Sequence, residues 1–212
     1  MKRTILFDLD GTLTDSGEGI MNCAELALRH FGLPVPDRQT MRVFVGPPLH
    51  KTLMEFGVPE EKVAEAITIF RSRYTTIGIF ENTPYPGIGE LLAKLKSQGH
   101  CLMVATSKPE EMANRVLDRF GLSQYFSIIC GATMDSSRVS KEDVIAYLLS
   151  AAVPEAPPVM VGDTHYDVEG AAFHNIPTIG VAWGYGTVEA MEKAGAKAIA
   201  YTTDELFTLL NQ

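Results

Sequence analysis

No stretch of this sequence approaches the ~20 consecutive apolar residues of a membrane-spanning helix, so no membrane partner is expected. The first apolar run, Thr4-Ile5-Leu6-Phe7, stops at Asp8. It falls short of the roughly 7–15 apolar residues of a secretory signal, and none is expected. Cysteine is scarce: Cys23, Cys101 and Cys130 are odd in number, far apart and form no CxxC. Reduced thiols in a cytoplasmic protein are the plain expectation. Positive charge is in deficit, with 18 Lys and Arg against 26 Asp and Glu and a formal charge of −8. That balance argues against a nucleic-acid polymer as partner, because polymer binding draws on basic patches. It leaves room for a small phosphorylated substrate, which a few local cations and a metal can hold. What is present is ordinary for a globular protein: 46% hydrophobic and 21% charged residues over 212 positions. Such a length suits one large domain or a core with a smaller insertion.

Short apolar runs predict buried parallel strands at Ile5–Phe7, Leu102–Ala105, Ser127–Cys130, Val159–Val161 and Ile179–Ala182. Helical periodicity lies between them. Ile88, Leu91, Leu92 and Leu95 share a face and are followed by Gly99. Met112, Val116, Leu117 and Phe120 do the same between Pro109 and Gly121. Alternation of strand and helix predicts an α/β fold, a Rossmann-like parallel sheet. From about Gly17 to Phe80 the pattern is helical only, broken at Gly32-Leu33-Pro34, Gly46-Pro47-Pro48 and Gly57-Val58-Pro59. The expected organisation is therefore a core of residues 1–14 and 82–212 with an inserted helical cap over 15–81. The two crossings, near Thr14–Gly17 and Glu81–Pro86, are a candidate hinge.

In open α/β sheets, ligands sit beyond the carboxyl ends of the strands. The predicted strands run into Asp8-Leu9-Asp10-Gly11-Thr12, Thr106-Ser107-Lys108-Pro109, a loop ending at Ser140-Lys141, and Gly162-Asp163-Thr164-His165-Tyr166-Asp167. Two acids one residue apart at a strand end repel each other and resist desolvation, so something must compensate them. A divalent, oxygen-loving cation such as Mg²⁺ would neutralise Asp8 and Asp163. A lysine with no nearby anion would then be free to hold an anionic substrate. Phosphate fits, since hydroxyls, lysines and backbone N–H groups all donate to its oxygens. His165 is expected to face solvent. Gly46-Pro47-Pro48-Leu49 reads equally as a stiff loop facing the site or as an interhelical turn. Lys108, Arg42 and Lys51 read equally as substrate contacts or solvated surface.

FDLDGTLTDS, ATSKP, SKEDVI and VGDTHYD resemble, in order, the four motifs of the haloacid dehalogenase (HAD) superfamily in its phosphatase branch. The resemblance covers essentially the whole chain and includes the helical cap after the first motif. Within the branch the chain looks like the phosphoglycolate phosphatase-like and bacterial 5′-nucleotidase-like groups; RVFVGPPL and WGYGT lean toward the latter. The resemblance implies that Asp8 is the nucleophile and forms an aspartyl-phosphate, while Asp10 acts as acid and base on the leaving alkoxide and the water. It implies Mg²⁺ ligation by Asp8, the Asp10 carbonyl and Asp163, with Asp167 orienting Lys141 or a metal-bound water. Thr106 and Lys141 would hold phosphoryl oxygens. Ser107, Lys108, Gly46 and Pro47 are the further candidate substrate contacts. Ser107 departs from the Asn that close relatives often carry.

The expected activity is Mg²⁺-dependent hydrolysis of a small phosphorylated metabolite, by a monomer or homodimer. Candidate substrates are 2-phosphoglycolate, a nucleoside 5′-monophosphate and a sugar phosphate. Asp10 argues against a dehalogenase, and Gly11-Thr12 favours a phosphatase over a phosphomutase. Lys51 keeps a Schiff-base phosphonatase open, and a non-catalytic phospho-ligand sensor is the alternative from another class.

Overall fold

The computed structural model describes residues 2–135, 137–154 and 156–212. The chain begins with β1 (Thr4–Phe7) and β2 (Thr14–Asp15). A helical stretch follows: α1 (Gly17–His30), α2 (Arg38–Met41), α3 (Leu49–Glu55) and α4 (Val63–Tyr74). Next come β3 (Thr83–Pro84), α5 (Ile88–Ser97), β4 (Cys101–Pro109), α6 (Glu110–Arg119), β5 (Ile128–Ala132) and α7 (Lys141–Ala151). The chain ends with β6 (Pro158–Gly162), α8 (His165–Phe173), β7 (Thr178–Val181), α9 (Val188–Ala194), β8 (Ala198–Ala200) and α10 (Thr203–Leu210).

Six strands form one parallel sheet in the order β5-β4-β1-β6-β7-β8. β1 is central, with Phe7 level with Val104 of β4 and Val161 of β6. Every residue of β1 is buried, which is why it reads as a continuous apolar run rather than an alternating one. Ile5 and Phe7 pack into the cluster that includes Leu92 and Leu95 of α5, Val116 of α6 and Leu206 of α10. Leu6 points to the other face, among Val144 and Leu148 of α7 and Ala171 of α8. Phe7 is fully buried and meets Phe126 edge-on at 6.2 Å. Phe7→Ala is expected to cost about 3–5 kcal/mol. From β1 the chain builds outward through β4 and β5 on one side, then returns to build β6, β7 and β8 on the other, so β1 lies at the switch point where such sheets open a crevice.

The helical stretch is inserted between β2 and β3, which pair antiparallel as Thr14 with Pro84 and Asp15 with Thr83. The two crossings thus form a short ribbon, a feature too brief to show in the apolar pattern. Buried Ile20, Cys23, Ala24, Ala27 and Leu28 give α1 one apolar face, and Val63, Ala66, Phe70 and Tyr74 do so for α4. The two helices pack on each other. A Cβ at Gly19 would collide with the Gly78 carbonyl, so the return segment approaches α1 at a distance only glycine allows. At the foot of this block Arg73 grips Glu81 with two hydrogen bonds of 2.7 Å.

Three strands were not foreshadowed by the apolar runs: β2 and β3, two residues each, and the edge strand β8, whose Ala-Ile-Ala carries little hydrophobic signal. β4 continues past Ala105 to Pro109, with an irregularity in register after Thr106. β7 starts one residue earlier than its periodicity suggested.

Candidate active site

β1, β4 and β6 end on the same edge, and the loop after β5 brings the start of α7 to them. Asp8, just past β1, is 6% exposed, and its Oδ1 accepts from the Leu9 N–H at 2.7 Å. Lys141 is the first residue of α7, after Ser140, whose hydroxyl accepts from the Asp143 N–H. A cation there opposes the helix dipole, so carboxylates must hold it. Its ammonium lies 3.0 Å from Asp8 Oδ1 and 2.8 Å from Asp167 Oδ1, and donates to the Ala105 carbonyl at 2.9 Å. Burial works against the charged lysine, yet Asp167 and Asp8 outweigh it and push its pKa up.

Asp163 follows β6 and is fully buried. It accepts from the Thr12 hydroxyl at 3.1 Å and the Tyr185 N–H at 2.8 Å. Gly11, at φ +84°, and Gly184 press against its carboxylate; a Cβ at either would collide with it. Asp167 accepts from the Thr164 backbone and hydroxyl, so it caps α8 while its other oxygen faces Lys141. Carboxylate oxygens of Asp8, Asp163 and Asp167 lie within 4.8 Å of one another. Burial, then the Asp167 and Asp8 charges, pushes the Asp163 carboxyl up to about 8. Burial likewise raises Asp8 to about 6, against the pull of Lys141. Three buried carboxylates with one lysine leave negative charge uncompensated. Hard oxygen donors at this spacing suit Mg²⁺.

Asp10 meets a different partner. Lys108 donates to both of its oxygens, at 2.7 and 2.6 Å, and both residues are buried. Burial disfavours the Lys108 cation, but the Asp10 carboxylate more than offsets this and raises its pKa. Neither lysine is free of anions, contrary to the sequence expectation: Lys141 compensates Asp8 and Asp167, and Lys108 compensates the Asp10 carboxylate expected to move the proton. Lys108 is therefore a buried site residue and not a surface one.

Asp8, Asp10, Thr106, Ser107 and Lys108 share a cavity of about 150 Å³ with Gly46 and Pro47 of the loop before α3. That loop faces the site, and Gly46 adopts φ +107° to make the turn. The opposite wall comes from the helical block and includes Phe44, Ile67, Phe70, Arg71 and Tyr74. Arg42 and Lys51 sit elsewhere, along a second cavity beyond Pro47. Arg42 donates to the Gly184 carbonyl at 3.0 Å and covers the Tyr185 ring. His165 is half-buried, its ring 4.0 Å from that of Tyr166, where solvent exposure was expected. Sequence reading treated Phe70 and Tyr74 as core periodicity alone; one helical face serves both core and cavity. Trp183 and Tyr185 belong to the WGYGT stretch, and the fold gives both a physical role. Trp183 Nε1 donates to the Thr12 carbonyl at 3.1 Å, so both residues brace the loop around Asp163.

Among the described residues no helix is long and apolar enough to cross a membrane. A family model described as haloacid dehalogenase-like hydrolase matches residues 5–181. The chain is 46% identical over 206 residues to tyrosine-protein kinase PtkA of Mycobacterium tuberculosis, covering 95% of this chain and 70% of that protein. It is 39% identical over 189 residues to a 5′-nucleotidase of Pseudomonas aeruginosa, covering 88% and 86%. A crystal structure from Clostridium acetobutylicum, described as a predicted phosphatase, superposes with a TM-score of 0.95 at 41% identity, covering 100% and 99% of the two chains.

Proposed function

The chain belongs to the haloacid dehalogenase-like hydrolases and is a phosphatase of that family, and on that premise we propose that it hydrolyses small phosphomonoesters through an aspartyl-phosphate on Asp8 with Mg²⁺ bound. The observation that carries this reading is the convergence of Asp8, Asp10, Thr106, Lys141, Asp163 and Asp167 on one sheet edge, lining or adjoining one cavity.

Asp8, Asp163 and the Asp10 carbonyl would hold the metal, with Asp167 beside them. When bound, Mg²⁺ supplies positive charge against the phosphoryl oxygens and the attacking carboxylate. Asp8 Oδ attacks phosphorus, the ester P–O bond breaks, and the phosphoryl group rests on the carboxylate. The Asp10 carboxyl gives its proton to the departing alkoxide and then takes one from the water that cleaves the acyl phosphate. Lys141, already at 3.0 Å from Asp8, holds the nucleophile in place and faces the charge that builds on the phosphoryl oxygens. The Thr106 hydroxyl is a second donor there, and Ser107 and Lys108 border the ester. Residues 15–81 would act as a cap, with the β2–β3 ribbon as hinge, excluding water during the transfer.

The test is phosphate release from a panel of about a hundred metabolite phosphates, including 2-phosphoglycolate, nucleoside 5′-monophosphates and sugar phosphates, with Mg²⁺ and with EDTA. Mg²⁺-dependent release that disappears in Asp8→Asn supports the reading. Binding without release across the panel would favour a phospho-ligand sensor. Identity to a protein named as a tyrosine kinase favours one further arm, transfer from ATP to a tyrosine peptide. Lys51, which lines the second cavity, gives a phosphonatase reading little support.

A further inference from the structure

The wall facing Asp8 and Asp10 is uneven in chemistry. Phe70 and Tyr74 stand one turn apart on α4 and stack, with ring centroids 5.4 Å apart and planes 22° from parallel. Both line the cavity and are nearly buried, at 7% and 6% exposure. Phe44 and Ile67 extend this apolar surface. The Tyr74 hydroxyl is buried without a hydrogen-bond partner, and the Lys108 ammonium lies 5.1 Å from its ring centroid. Among the described lining residues, Asp8 and Asp10 are the acids, and both belong to the chemistry at the floor. Arg71, at the rim, donates to the Met134 carbonyl at 3.1 Å.

A sugar brings a set of hydroxyls, each needing a partner once buried; the surface of Phe44, Ile67, Phe70 and Tyr74 supplies one hydroxyl, and the rest of the polar lining is His50, Arg71, Thr75, Thr133 and the residues of the floor. A two-carbon hydroxy acid brings a carboxylate and too little apolar surface to cover two aromatic rings. A planar aromatic group covers them and gains from stacking. We infer that the cavity selects phosphomonoesters whose alcohol carries a planar aromatic group close to the ester oxygen, with Phe70 and Tyr74 as the selecting residues. This assignment rests on the phosphatase reading for the reaction and goes beyond it in naming the leaving group.

Benzyl phosphate and ethyl phosphate both release alkoxides, so their comparison separates recognition from leaving-group reactivity. With Mg²⁺ present, kcat/KM for benzyl phosphate is expected to exceed that for ethyl phosphate, 2-phosphoglycolate and glucose 6-phosphate by about tenfold or more. The carbon isosteres give a readout independent of turnover: phenethylphosphonate should bind about tenfold more tightly than propylphosphonate by calorimetry. Phe70→Leu, folded by circular dichroism, should lower both ratios severalfold, chiefly through KM, and Phe70→Tyr should restore them. Ratios near one, a preference for 2-phosphoglycolate, or ratios unmoved by Phe70→Leu would overturn the assignment. Selective phenethylphosphonate binding with no ester hydrolysed would support the pocket and overturn the phosphatase reading instead.

Discussion

At the sheet edge, carboxylate oxygens of Asp8, Asp163 and Asp167 lie within 4.8 Å of one another, with Asp8 and Asp167 on a buried ammonium, while the wall facing Asp8 and Asp10 includes Phe44, Ile67, Phe70, Arg71 and Tyr74. One side concentrates charge that the fold cannot fully compensate; the other is chiefly aromatic and aliphatic, with Arg71 at its rim. The two sides also differ in how they are held. Each edge residue sits at the end of a strand fixed by neighbours on both sides, or at the first turn of a helix packed on the sheet. The facing wall belongs to helices inserted between β2 and β3, which meet the core through hydrogen bonds from Arg42 to the Gly184 carbonyl and from Arg71 to the Met134 carbonyl. In the proposed reading the strand ends carry the groups that need sub-ångström placement, and the inserted helices carry those that choose the leaving group.

The largest effect should come from the edge. Asp8→Asn is expected to lower phosphate release by about 10³-fold or more for every substrate, since it removes the attacking oxygen. Steady-state kinetics with circular dichroism as a folding control measures this. Asp10→Asn should be selective in chemistry: a loss of about 10²–10⁴-fold on alkyl phosphates, and far less on p-nitrophenyl phosphate, whose phenolate leaves without a proton. Equal losses on both would remove Asp10 from the proton transfer.

Changes on the facing wall should act differently. Phe44→Leu is expected to raise KM about tenfold or less and leave kcat within a small factor, because it trims apolar contact without touching the reacting atoms. A kcat collapse there would erase the division between edge and wall.

The smallest effect is on stability. Asp8 is raised to about 6 and Asp163 to about 8 in the metal-free fold. Unfolded aspartates titrate near ~4, so between there and about pH 8 the native state binds more protons than the unfolded one. The stability these two carboxyls contribute to the metal-free protein is therefore fully present below the unfolded pKa and falls as pH rises through this window. In EDTA, Tm should drop by a few degrees between about pH 5 and pH 8. Mg²⁺ should flatten that slope, bind more tightly as pH rises and release protons on binding, as calorimetry in buffers of different ionisation enthalpy would show.

The edge was legible in the sequence because its residues are tied to punctuation that physics makes visible: a buried run ending at Asp8, Gly11 where φ is positive, and Val161-Gly162 before Asp163. The partnership of Lys108 with Asp10 was not, since it joins residues whose strands become neighbours only in the folded sheet. The facing wall was hidden for a different reason. Phe70 and Tyr74 have the spacing of any core helix, and nothing in an i, i+4 pattern says whether the opposing surface is protein or ligand. β8 escaped notice because alanine carries little of the apolar signal that marks a strand.

In the proposed reading the charged edge carries out the chemistry through Asp8, and a covalent intermediate is its signature. Acid quench during turnover, borohydride reduction of any acyl phosphate and peptide mass mapping should find homoserine at position 8. Continued turnover with no reduced aspartate there, under quench conditions that preserve a reference acyl phosphate, would contradict it.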